Sequence, residues 1–304
     1  MLLVLSHLLA FSALFVASLF DLDTTDVPDD FAVIATAGGV LLHAAYSYSS
    51  GAMSLEFFYH IGDAVGTVIF PFFSPGIAFN GFLASMGEPL LWSLAVGIVF
   101  SIYGWGAYLK GMWGGADAFA MTVLGFAAPF FGTPGIMDPV NLFVNVMLVG
   151  LGYTLVYGVL QVFKKRAWNL VRQEFVEKRY RVLLETAGAA LLAGFLAFQG
   201  MNPLPYFVLL EGTVLMYHFF SAVQERIFTR EVAVEQLEGG EVPASGQGFG
   251  DKIVGLDEED IEALEVDELE VRRGVPFMPV FPMALLVTML GYGGVQLILV
   301  LFQF

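Results

Sequence analysis

Two aspartates stand where an apolar stretch meets a polar one. Asp21 follows the run Leu2 to Phe20 in the string ASLFDLDTTDVPDDF, and Asp117 opens a later run in GMWGGADAFAM. A carboxylate is costly in hydrocarbon, so an acid at the edge of an apolar span is a candidate for function. Two carboxyls that face one water cannot easily both be charged, and they share a proton. The ionised member then takes a proton from the water as that water attacks a peptide carbonyl. The protonated member gives its proton to the carbonyl oxygen and later to the leaving amine. Gly114, Gly115 and Ala116 precede Asp117 and would let the backbone come close to a substrate strand. Asp23 is the nearest acid able to assist. The plainer alternatives are a solvated helix-end acid at position 21 and an N-terminal acid favoured by the helix dipole at position 117. Other chemistries lack their parts. There is no cysteine for a thiol nucleophile, and His7, His43, His60 and His218 show no HxxxH or HExxH spacing. Neither a metal ion nor a cofactor is therefore expected.

The elements that would carry these acids are membrane spans. The chain has 304 residues, of which 57% are hydrophobic and only 14% charged, against about a quarter charged in a soluble domain. Apolar runs long enough to cross about 30 Å of hydrocarbon occupy residues 2–20, 31–47, 89–109, 116–132, 138–163, 182–200, 204–222 and 277–303. A further apolar stretch, Ile61 to Met86, is interrupted by Pro71, Pro75, Gly76, Asn80 and Gly81. These breaks would leave backbone groups unpaired in lipid, so that stretch is read as an outer loop or re-entrant segment. The expected fold is all-α: a polytopic membrane protein of about eight transmembrane helices with a cytoplasmic acidic loop. Short-loop Lys and Arg stay on the cytoplasmic side. With eight spans and an extracytoplasmic N-terminus, all 13 Lys and Arg fall inside. Both aspartates then lie at the cytoplasmic boundary.

Residues 1–132 form the expected catalytic half, and 133–222 add further membrane helices. Between the latter, residues 164–181 read KKRAWNLVRQEFVEKRYR, an amphipathic basic segment with Trp168, Val171, Phe175 and Val176 near one face. It is expected on the inner membrane surface, against lipid headgroups. Residues 223–276 form the acidic loop. Its stretch 231–270 holds fourteen acids against Lys252 and so accounts for −13 of the net charge of −16. It begins as a Gly-rich linker and continues as a short charged helix or strand pair. Residues 277–304 supply the last helix. Glu185 and Glu211, inside later spans, are expected to pair with Arg181 or to line a polar face. Asp63 and Glu88 fall on the outer side.

The two aspartate strings carry a resemblance. Asp21, five residues and then Val27-Pro28, followed by the Gly-rich turn before Asp117, resemble the type IV prepilin and preflagellin (prearchaellin) peptidases, membrane aspartic proteases with a GxGD motif, in their archaeal branch. The Pro-spaced string GVPFMPVFP at the last span is also similar. The match covers mainly residues 1–132, with support from 274–304. It implies that Asp21 and Asp117 are catalytic and that the chain cuts the basic leader from prepilin or prearchaellin precursors at the inner membrane face. Ala116 stands where the motif has Gly, and Phe119 where many members carry Lys. The chain also has one more pair of spans, 182–222, than the simplest archaeal members. A literal GxGD string, Gly248-Phe249-Gly250-Asp251, sits in the acidic loop with no apolar run behind it, and is read as a chance match.

Two other classes of function stay open on the sequence. One is a transporter or channel with a proton or cation path through Asp21, Asp117, Glu185 and Glu211. The other is an inactive relative that only binds pilin-type helices. Nucleic acid is not an expected partner, because the bases are interspersed with acids and the largest loop is negative.

Overall fold

The computed structural model describes residues 1–23, 27–50, 89–110, 112–132, 134–199, 202–234, 237, 242–243, 261, 266, 268–272, 274–291 and 293–296. The expected re-entrant stretch 61–86, Asp63, Glu88 and Asp251 lie outside the described residues. The helices are α1 (Leu2–Asp23), α2 (Asp29–Ser49), α3 (Pro89–Leu109), α4 (Gly115–Ala127), α5 (Met137–Lys164), α6 (Trp168–Glu177), α7 (Arg179–Phe198), α8 (Pro203–Val223) and α9 (Val280–Met289). Six of the described helices are long and apolar enough to cross a membrane. The protein is thus mostly helical, with the helices of a polytopic membrane protein. The chain forms two compact units, one of Met1–Gly150 and Pro276–Val295, the other of Leu151–Val275 and Gln296–Phe304.

In the first unit α4 is the central element. Ala118, Met121, Leu124 and Ala127 are fully buried, and α1, α2, α3 and α9 all pack on this helix. Its closest neighbour is α3, and glycine makes the approach possible. A Cβ on Gly125 would lie 2.8 Å from the Gly97 Cα, and one on Gly97 would lie 2.4 Å from the Phe126 ring. No real side chain fits there.

Two of the expected spans are shorter as helices than as apolar runs. For 116–132 the helix is only the 13 residues Gly115–Ala127, about 20 Å at 1.5 Å per residue. Pro129 follows two residues later, and neighbouring side chains take the carbonyls that the helix end leaves free. The Ser93 hydroxyl donates to Phe126 O at 2.6 Å, the Ser6 hydroxyl to Ala127 O at 2.6 Å, and His7 Nε2–H to Phe130 O at 2.9 Å. Backbone groups in an apolar surrounding require such partners. For 277–303, α9 stops at Met289, and Gly291 turns the chain with φ +81°.

The second unit holds the ends of α5 and α8 together with α6 around Val162, Ala167, Val171, Ala222, Val223, Ile227 and Phe228. The buried side of α6 is Val171 and Glu174, with Phe175 against the cluster, whereas Trp168 and Val176 are exposed. The face expected from the sequence is therefore split. A π-helical turn, Gln224–Phe228, leads from α8 into a sheet. To the helical architecture the structure adds this three-stranded antiparallel sheet, ordered β1 (Thr229–Ala233), β3 (Glu268–Arg272), β2 (Val242–Pro243). The register pairs Val232 with Leu269, and Val232, Leu269 and Val271 form a small core. The acidic stretch is thereby closed at its base: its first and last segments are paired strands.

Candidate active site

The site grows from the ends of α1 and α4. The first helix continues through Asp23, so Asp21 lies on its last turn, 7% exposed. Asp23 on the same turn is exposed, as are Asp29 and Asp30 at the start of α2. Asp21 Oδ2 accepts a hydrogen bond of 3.0 Å from the Met278 amide. Met278 lies in the stretch before α9, between Pro276 and Pro279, whose rings disrupt helical pairing. Its N–H is consequently directed to a side chain.

Asp117 is the third residue of α4, whose N-cap is Gly114 in an extended conformation. The Gly114 amide donates to Asp117 Oδ2 at 3.0 Å, half of the reciprocal pairing seen in capping boxes. The capping role and a chemical role are compatible, because among the described residues Oδ1 of each aspartate is without a partner. The helix ends that carry them meet at one cleft, lined by Ala17, one turn before Asp21, by Ala116, next to Asp117, and by Met278. Gly114 is exposed, while Gly115 and Ala116 are half-buried.

An aromatic bracket joins the two halves. Trp113, in the turn before α4, packs on Tyr103 at 5.3 Å, on Phe277 at 6.2 Å and on Phe281 at 6.0 Å between ring centroids. The turn that presents Asp117 is thus braced against the segment that holds Asp21. The sequence assigns the aromatic residues mostly to lipid-facing or packing positions, and these rings pack. The signal available for Met278 and its neighbours was the proline spacing of GVPFMPVFP.

Beside the carboxyls lies a cleft between α1, α2 and α4. Its wall includes Ala17, one turn before Asp21, Ala116 next to Asp117, and Met278, together with Phe31, Phe119 and Ala120. Asp29 stands at its rim. The enclosed part measures about 20 Å³, room for about one water molecule.

Glu185 and Glu211 belong to the second unit. Glu185 accepts from Arg181 Nε at 2.9 Å and pairs with His218 Nε2 at 2.7 Å, and Glu211 accepts from the Thr186 hydroxyl at 3.1 Å. The expected pairing with Arg181 is present. His218, only 1% exposed, was not anticipated as a partner. Among the described residues no group of three His, Cys, Asp or Glu could hold a metal ion.

No family model, curated protein or solved structure matches this chain.

Proposed function

We propose that the protein is a membrane aspartic endopeptidase of the prepilin and prearchaellin peptidase type. It removes the basic leader from pilin-like precursors at the cytoplasmic face of the membrane. The observation that carries the reading is the pairing of Asp21 and Asp117. These acids are 96 residues apart in the sequence, they stand at helix ends that share one cleft, and each is held through Oδ2 by a backbone amide, with Oδ1 without a partner among the described residues. Such a pair has the parts for water activation. One carboxyl takes the proton of a water poised between them, and the other protonates the carbonyl oxygen and then the leaving nitrogen. The pair acts as one titrating unit, so roles belong to the dyad rather than to a named member. Gly115 and Ala116 keep the approach to Asp117 narrow but uncluttered.

The topology that accompanies this reading has eight membrane segments and an extracytoplasmic N-terminus, with the acidic stretch inside. It is supported by the placement of all 13 Lys and Arg in inner segments. The short helices α4 and α9 belong to two of those eight segments.

The test is cleavage of a candidate precursor in membranes. Asp21→Asn and Asp117→Asn should each lower kcat by about 10²- to 10⁴-fold with the protein still inserted, and Asp251→Asn should cut as the wild type does. Full activity in Asp117→Asn would sink the assignment. The next reading is a proton or cation path, favoured by the half-buried Glu185–His218 pair and by Glu211 within apolar helices. It gains ground if the wild type cuts no precursor but moves charge across vesicles.

A further inference from the structure

A tryptophan at the end of a span ordinarily sits at the level of the lipid headgroups. Trp113, half-buried in the turn between α3 and α4, instead packs its ring on Tyr103 of α3, on Phe277 and on Phe281 of α9, which is fully buried. Tyr103 and Phe281 meet the indole edge-on, at 79° and 89°, and such edge-to-face pairs fix the orientation of a ring. The turn is itself constrained, since the Met112 amide reaches back to Ala107 O at 2.9 Å. Phe277 is received by α5 at a glycine: a Cβ on Gly150 would lie 2.6 Å from its ring.

The place of this ring in the chain gives it a bearing on both acids. Trp113 precedes Gly114, whose amide holds Asp117, and its ring packs on Phe277, which precedes Met278, whose amide holds Asp21. Each amide donor is thus the residue next to one side of a single aromatic contact. We propose that Trp113 is a positioning residue: its contact with Phe277 fixes the two amide donors relative to one another, and thereby the mutual placement of Asp21 and Asp117. The effect on cleavage rests on the peptidase reading, and there the loss of the ring acts through geometry alone. Trp113 is not among the residues that line the cleft between α1, α2 and α4, so substrate binding should be spared.

Two measurements on the full-length protein test this, and the first needs no activity. Between Pro276 and Pro279 only Phe277 and Met278 carry amide hydrogens, so deuterium uptake in that stretch reads the bond from Met278 to Asp21. Asp21→Ala removes the acceptor and sets the exchange rate of a broken bond. Trp113→Ala should raise exchange toward that rate, and Trp113→Phe, which keeps a ring, should stay near the wild type. Trp113→Leu takes the place of the alanine variant if that one gives no monodisperse peak. Unchanged exchange without the ring would overturn the proposal whatever the activity. The second measurement is cleavage of a precursor with a basic leader in proteoliposomes. Trp113→Ala should lower kcat about 10- to 100-fold with KM unchanged, the size expected of a small misplacement of reacting groups. Trp113→Phe should recover most of the loss. Adding Phe277→Ala to Trp113→Ala should lower kcat no further, because the two rings form one contact. A raised KM with kcat intact, or losses that add, would also overturn it. If Trp113→Ala speeds exchange at Met278 but the wild type cuts no precursor, the peptidase reading fails and the coupling of the two amides stands.

Discussion

Asp21 and Asp117 share a device: in each, a backbone amide occupies Oδ2, and on the proposed reading the other oxygen serves the water and the substrate. A hydrogen bond from an amide to a carboxyl is worth about 1.5–3 kcal/mol when charge is involved. Met278→Pro removes the donor to Asp21, and kcat should drop about 10- to 100-fold, a size that follows from that energy. Met278→Ala keeps the amide, so comparing the two in the cleavage assay separates the hydrogen bond from the side chain. A different residue governs acid stability in the second unit. Glu174 is 1% exposed and bonded to Lys178 and Arg226. First the Lys178 hydrogen bond, and then Arg226 against the opposing effect of burial, hold its carboxyl below the ordinary glutamate range. A lowered folded-state value means stability that is present above the ordinary glutamate range and lost as pH falls through the folded value. Thermal unfolding of the wild type in detergent should therefore shift downward at acid pH. Glu174→Gln should cost about 2 kcal/mol at pH 7 and flatten the acid limb. A wild-type limb that survives unchanged in that variant would assign it to other acids. At this scale the sequence was informative where chemistry is rare, because an acid beside an apolar run is conspicuous. It was silent where a common group does the work: any amide can serve Asp21, and only the fold selects that of Met278.

Among the elements, α4 decides the geometry of the first unit, and its neighbours decide α4. Replacing Gly125 by Leu would drive a side chain into Gly97 and Phe100 of α3. The two helices would have to separate, and the variant should fail to give a monodisperse peak in fluorescence-detected size exclusion. Gly106 on the same partner helix has open space where a Cβ would go. Gly106→Ala should be neutral or raise Tm slightly, since alanine favours helix by up to about 1 kcal/mol. Equal damage from both substitutions would mean that the close approach at Gly125 is not what makes that position sensitive, since helix propensity favours both replacements over glycine. The carbonyl clasp makes a parallel case. Ser93→Ala leaves Phe126 O without its donor, and a buried unsatisfied group costs about 1–3 kcal/mol, readable as a lower Tm. Helix positions were legible because eight apolar runs each hold a helix. The early ends of α4 and α9 were not. Apolar composition continues through Ala128, Phe130 and Phe131, so hydropathy extends the span past the point where Pro129 and three hydrogen bonds from other segments end the helix. The strand pairing of 229–233 with 268–272 was hidden for a related reason. The two partners are separated by a long acidic, Gly-rich stretch, and only β1 and β3 side by side reveal the shared face of Val232, Leu269 and Val271.

At the scale of the whole molecule, charge placement predicts which side each segment faces, and the chain is suited to the measurement because it contains no cysteine. Single cysteines at Ser50 and Ser245 should label from outside and only after opening the membrane, respectively. The reverse pattern would invert the topology and move the dyad to the outer face. That the chain has helices long and apolar enough to span was legible in its apolar runs, of which the sequence shows eight and the described helices six of sufficient length, because lipid imposes length and hydropathy together. The grouping into two units was legible only in part: 12 of the 13 Lys and Arg lie in the second unit, but the division falls inside the continuous helix α5. The hydrogen bond between Asp21 and Met278 joins residues 257 positions apart, and this has a bearing on how the protein is made. Asp21 and Asp117 both leave the ribosome well before Met278, the partner that orients one of them. On the peptidase reading proposed above, the chain carries the two acids without their geometry until α9 has been made, so cleavage should begin only when α9 docks. A chain halted after Val275 should insert and remain silent, and co-expression of residues 276–304 as a separate segment should awaken it.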